Sequence, residues 1–324
     1  MTKIWLWVKK HKPAIFLVLL ILLALKVFIP QIDTLIESIQ ALKEADPMWV
    51  IAGVIVFFAG VPVLAWQYLE LAIKPIKFWL TFRVEMAGLF VSKLLPSSLG
   101  TLSLNLYYFV YAKHSLVQST TVMAMNAFTS GIAYGLIIIG GIIVGDFSLN
   151  SINIFAADLP WGLISLITLT LIFGAIIIYK IPRFNTKIKK TFSELKYNLK
   201  AYSHRPKAVL MGILLNGIGS LTSLFALYAS AHAIGIDLTM TQALVAYTIG
   251  NIAAGLVPTP GGLGATEAGI YSGLILVGVD VTSAITITLL YRLISYWLPI
   301  LPGYYYFWSL KKTVLSKFSI KTHS

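Results

Sequence analysis

Three ionisable residues stand deep inside apolar stretches: Lys93, Glu267 and Arg292. A charge at membrane depth is costly and marks a functional position unless a partner explains it. Arg292 is embedded in Leu289-Leu290-Tyr291-Arg292-Leu293-Ile294. Glu267 follows Val257-Pro258-Thr259-Pro260-Gly261-Gly262-Leu263-Gly264, and Lys93 precedes Pro96 by one turn. The guanidinium fork suits a phosphate or carboxylate, and a lysine adds a point charge. A helix that restarts after a break offers free N–H groups and the positive end of its dipole. These types together predict an anion site. Lys93 and Arg292 would be its cations, and the N–H groups of Gly262 and Gly264 its donors. Glu267 would be a carboxylate able to carry a coupling proton. A second reading needs no ligand: Glu267 and Arg292 simply pair and hold two helices together. Lys26, Glu70 and Glu85 lie nearer the ends of their apolar stretches.

Other chemistries are poorly supplied. The five histidines are scattered, without metal-ligand spacing, and Glu267 is the deep carboxylate, so no metal and no cofactor is expected. An intramembrane transferase would want clustered carboxylates or histidines, usually around a metal. The chain is therefore expected not to be an enzyme. There is no cysteine, which excludes disulfides and thiolate chemistry. Gly262-x-Gly264 follows no expected strand and lacks the phosphate-loop lysine, which argues against a nucleotide. The net charge of +13 does not imply nucleic acid, because the basic residues cluster between apolar spans.

The elements that must position these residues are membrane helices. The chain of 324 residues is 58% hydrophobic and 11% charged, too little charge to cover a water-soluble surface. Pro258, Pro260 and the glycines at 261, 262 and 264 cannot stay helical, so helix should stop near Leu256 and restart near Leu263 or Gly264. Leu95-Pro96-Ser97-Ser98-Leu99-Gly100 is a weaker copy of this break. Spans are expected over 13–29, 48–69, 117–144, 161–179, 208–234 and 282–308, the last bent by Pro299 and Pro302. The limbs 79–95, 99–111, 242–256 and 264–279 are short for a ~30 Å core at about 1.5 Å per residue. Paired interrupted segments in the two halves of a chain point to a transporter site.

Lys and Arg fall in 1–12, 74–83, 113, 180–207 and 311–321, while acidic residues mark 31–47 and 146–158. The positive-inside rule places the first set in the cytoplasm, with both termini. The segment 180–207 should lie amphipathically on the inner leaflet. The result is an all-α polytopic membrane protein of one domain. Its halves, about 1–146 and 160–310, form an inverted repeat with two re-entrant or broken hairpins. Asn105, Asn126 and Asn216 are expected to hydrogen-bond between helices. Trp297 and Tyr304 to Trp308 should be interfacial anchors and packing residues.

Pro258 to Ala268, then Gly278-Val279, Leu290 to Pro299 and Gly303, resemble the lysylphosphatidylglycerol synthase transmembrane-region family, also called flippase-like domain proteins. Pro96 and Gly100 match that family's Pro-x-x-x-Gly segment. The acidic residue and arginine usual after it are replaced here by Thr101 and Leu102 to Asn105. The resemblance implies translocation of an anionic phospholipid or polyprenyl-phosphate lipid between leaflets of the cell (inner) membrane. With Lys93, read from its depth in an apolar stretch, the candidate lipid- and anion-binding residues are Pro96, Gly100, Pro260, Gly261, Gly262, Gly264, Glu267 and Arg292. With no soluble synthase domain after Trp308, the chain is not expected to make the lipid itself. The alternative is a membrane partner of a separate lipid-modifying synthase or glycosyltransferase.

Overall fold

The computed structural model describes residues 36–43, 45–95, 99–144, 193–194, 197–257 and 259–310. The expected spans 13–29 and 161–179, most of the segment 180–207, Pro96 and both termini lie outside these residues. The principal elements are helical. Helix α1 is Pro47–Leu71, α2 Phe78–Leu94, α3 Leu99–Tyr111 and α4 Leu116–Val144. In the second half, α5 is Pro206–Ala233, α6 Met240–Leu256, α7 Ala265–Leu276, α8 Val281–Arg292 and α9 Ile300–Leu310. A π-helical turn, Leu293–Trp297, joins α8 to α9.

Local chemistry explains the helix starts. Asp46 caps α1 by accepting from Met48 N at 2.8 Å, with Pro47 in the first turn where its missing N–H costs nothing. Thr239 and Gln242 form a reciprocal capping box on α6. Asp280 accepts from Ser283 N at 3.1 Å to start α8.

Among the described residues, four stretches are long and apolar enough to cross a membrane: α1, α4, α5 and the run Val281–Leu310. The limbs α2, α3, α6 and α7 have 17, 13, 17 and 12 residues. At 1.5 Å per residue they span about 26, 20, 26 and 18 Å, short of a ~30 Å hydrocarbon core. The order long, short, short, long thus runs twice, over 47–144 and 206–310.

Two apolar cores hold these elements. One joins α5 to α8 through Leu227, Leu274 and Ile287. The other joins α1 to α4 through Leu71, Val84, Phe109 and Val122, and it also takes Leu310 from α9. Helix α9 therefore carries the end of the second half back onto α2. The approach is close: a Cβ at Gly303 would lie 2.8 Å from Phe90 N and 2.9 Å from Met86 O.

The asparagines hydrogen-bond between helices, as expected. Asn216 donates to Asn126 Oδ1 at 3.2 Å and Thr129 Oγ1 at 3.0 Å, and Asn126 donates to Tyr68 at 3.0 Å. Gln67 also donates to Asn126. This stitches α1, α4 and α5 with polar groups that water cannot satisfy at that depth.

The last span leaves the regular α-helix just ahead of the first of its two prolines. The helix widens at Leu293–Trp297, before both prolines, and Leu298 N reaches Leu293 O at 2.9 Å. Pro299 has no N–H to give the carbonyl of Ser295, four residues earlier, so the regular ladder cannot continue there.

Candidate anion site at the second break

The break between α6 and α7 is built by glycine. Gly261, Gly262 and Gly264 have φ of +61°, +70° and +77°, the left-handed region that L side chains avoid. Helix α6 ends at Leu256 and α7 restarts at Ala265, within a residue of the expected positions. The loop satisfies much of its own backbone. Gly262 N donates to Thr259 O at 3.0 Å and Leu263 N to Pro260 O at 3.2 Å. The N–H of Gly262, expected to be free for an anion, is therefore already used. Gly262 is buried, whereas Gly264 is exposed.

Arg292 and Glu267 meet beneath this loop. Nε of Arg292 lies 2.8 Å from Oε1 of Glu267, and the arginine side chain is only 5% exposed. The contact is ionic without an in-line hydrogen bond from Nε, and the buried Oε2 of Glu267 has no hydrogen-bond partner. A second guanidinium nitrogen points at Gly261 O, at a long 3.5 Å. The pairing follows from burial: each charge alone would be uncompensated in apolar surroundings.

Lys93 enters from the other half of the chain. Its Nζ donates to Ser295 O at 3.2 Å, the carbonyl that Pro299 deprives of a helical donor. Tyr296 then lies between the cations. The ring centroid is 4.4 Å from Arg292 Cζ and 4.8 Å from Lys93 Nζ, both at cation–π distance. The Tyr296 hydroxyl is buried without a partner. Gly261 seals the junction, since a Cβ there would lie 2.6 Å from the Tyr296 ring and 3.2 Å from Lys93 Cα. Gly261 N also faces Leu95 O at 3.4 Å, so the second break touches the end of α2.

Beside this cluster, a cavity of about 340 Å³ opens between α7 and α8. Its lining includes Glu37, Gly264, Glu267, Tyr271 and Thr288. Lys93, Pro260, Gly261, Glu267 and Arg292 thus gather around one junction, with Gly264 on the cavity side. Gly100 packs into its own hairpin, where a Cβ would collide with the backbone of Val91 and Ser92. The cluster holds two basic side chains, Lys93 and Arg292, and one carboxylate, Glu267.

Sequence reasoning missed Tyr296 and the Ser295 carbonyl. The second had a signal, because a proline four residues on always frees a helix carbonyl. Among the described residues there is no group of three or more His, Cys, Asp or Glu arranged to hold a metal.

Fold and composition define an all-α polytopic membrane protein with a broken helix pair in each half. The chain matches the family described as Lysylphosphatidylglycerol synthase TM region over residues 12–303, and it belongs to that family. It is also similar to the UPF0104 membrane protein MJ1078 of Methanocaldococcus jannaschii. The two are 27% identical over 177 residues, 50% of this chain and 73% of that relative. The family ties the protein to membrane lipid handling.

Proposed function

We propose that the protein translocates a lipid with an anionic headgroup, an acidic phospholipid or a polyprenyl phosphate, between leaflets without covalent catalysis. The single observation that carries this reading is the meeting of two basic side chains with one carboxylate at the junction. Lys93 and Arg292 flank one tyrosine ring, and the carboxylate of Glu267 pairs with Arg292. A phosphate brings negative charge to the two basic side chains, and the arginine fork is the group best shaped to hold it. The 340 Å³ cavity reaches this cluster at Glu267; its charged lining residues are Glu37 and Glu267, so the headgroup would have to bind on the Lys93 and Arg292 side of the junction.

In this reading both hairpins are re-entrant, from opposite sides, and the halves form an inverted repeat. Termini and residues 183–205 face the cytoplasm, while 31–47 and 146–160 face outward. Alternating access would rock one half against the other around the junction.

The test is lipid scrambling or flipping in vesicles containing purified protein, read by quenching of a headgroup-labelled lipid. Labelled phosphatidylglycerol should cross faster than in protein-free vesicles, and faster than labelled phosphatidylcholine. Equal rates with and without protein, for phosphatidylglycerol and a polyprenyl phosphate alike, would refute the reading.

A further inference from the structure

A second polar centre lies outside the junction, about 12 Å of helix rise from Lys93 along α2. Its core is Glu85, 7% exposed, and Asn105, 1% exposed. Asn105 Nδ2 donates to Glu85 Oε1 at 2.9 Å and to the Tyr68 hydroxyl at 3.4 Å. Asn105 Oδ1 is buried with no hydrogen-bond partner. Among the described residues Glu85 has no ion pair. The ionisable groups facing it are Tyr68 from α1 and Tyr108 from its hairpin partner α3, and neither is a cation.

A buried carboxylate without a counter-charge is among the costliest arrangements in a membrane protein. One positive charge removes the cost. The oxygens to receive it converge here: the Glu85 carboxylate, the Tyr68 hydroxyl, and Asn105 Oδ1 after a flip of the amide, which puts it where Nδ2 now stands. In the present orientation that oxygen is left unsatisfied, and buried polar atoms in folded proteins rarely are.

We propose that Glu85, Asn105 and Tyr68 form a site for one monovalent cation, a proton or Na+. Loading would neutralise Glu85 and turn the Asn105 amide. Tyr68 also accepts from Asn126, which bonds Gln67 and Asn216. The amide's turn would therefore be felt in α1, α4 and α5, the long helices that these hydrogen bonds join. That this ion drives lipid movement rests on the function proposed above; that it binds does not.

Thermal unfolding of the purified full chain in detergent tests binding without any transport. The titrations are NaCl against choline chloride at constant ionic strength, and pH at constant salt. A proton site gives a midpoint that falls as pH rises and ignores Na+. A Na+ site gives a midpoint that rises with NaCl but not with choline chloride. Either supports the proposal and names the ion. Glu85→Gln should flatten the response, because it fixes the neutral form and can donate to Asn105 Oδ1. Glu85→Asp keeps the charge on a shorter stem and should need a higher ion concentration. A wild type indifferent to both ions overturns the site whatever the variants do. An unchanged response in Glu85→Gln, or in Glu85→Asp should Glu85→Gln fail to fold, places the ion elsewhere and equally overturns it. Loss of lipid transport with the ion response intact would count against the function and leave the ion site standing.

Discussion

The two hairpins are held together by different means. At the second, backbone conformation does the work: three glycines with positive φ open the helix, and a charged pair sits just beyond. At the first, the described residues on either side of the break are held by packing. Gly100 fits against the carbonyl of Val91, Thr101 donates to Gly88 O at 3.4 Å, and Lys93 finds its acceptor on another element. The second break and the span after it therefore carry most of the candidate site, and the helix before the first break contributes Lys93 to it. What joins them is α9, which folds back along α2 and brings the Ser295 carbonyl and Tyr296 to Lys93. The lesson is that a cluster drawn from both halves of a chain need not be divided equally between them.

Substitutions can break or sharpen that contrast. The largest effect is expected at Gly269 and Gly273, where the limbs of the second hairpin meet backbone to backbone. A Cβ at Gly269 would lie 2.8 Å from Ile249 O, and one at Gly273 2.5 Å from Ala246 Cα. Gly273→Val should cost more than the ~1–3 kcal/mol of ordinary overpacking, because backbone cannot swing aside, and should abolish recovery of folded protein. Normal yield of a monodisperse, thermally stable Gly273→Val protein would show that the hairpin is looser than described.

Next comes the ion pair. Glu267→Gln leaves Arg292 buried and uncompensated, a change that costs roughly 3–5 kcal/mol for a buried pair. Glu267→Gln with Arg292→Gln together should unfold at a higher temperature than either single variant. Additive losses in that cycle would mean the two residues act independently.

Lys93→Met removes the donor from the Ser295 carbonyl. A lost charge-assisted hydrogen bond is worth about 1.5–3 kcal/mol, and the thermal midpoint should fall accordingly. The same substitution at Lys77, an exposed residue at the start of α2, should leave the midpoint within experimental error.

The smallest effect separates conformation from space. A Cβ at Gly264 meets nothing within 4 Å, yet its φ is +77°. Gly264→Ala should cost about 1–2 kcal/mol from left-handed strain alone. Gly255→Ala, also with open space but inside α6, should be neutral or stabilising by up to about 1 kcal/mol. Equal midpoints for the two variants would remove the argument that the second break is built by backbone conformation.

Much of this was legible in the sequence because proline and glycine act locally. The limits of α6 and α7 follow from Pro258, Pro260 and three glycines with little help from tertiary structure. The Glu267–Arg292 pair was legible as two lone charges in apolar surroundings. The role of Tyr296 was not, because it depends on how α9 returns to α2, and no local pattern encodes that. Glu85 was placed near a helix end by counting residues, whereas its burial is set by α1 and α3 packing over it. The free N–H expected of Gly262 failed for a different reason: a tight loop uses its own donors first.

The central claim is that Arg292 grips a lipid anion beyond balancing Glu267. The double variant Glu267→Gln with Arg292→Gln tests it most directly, because it removes both charges and keeps the pair neutral. Its transport of headgroup-labelled phosphatidylglycerol in vesicles should be measured beside its thermal midpoint. The account predicts a folded protein, more stable than either single variant, with anionic lipid transport reduced to the protein-free rate. Wild-type transport by that double variant would contradict it and leave Arg292 a structural residue.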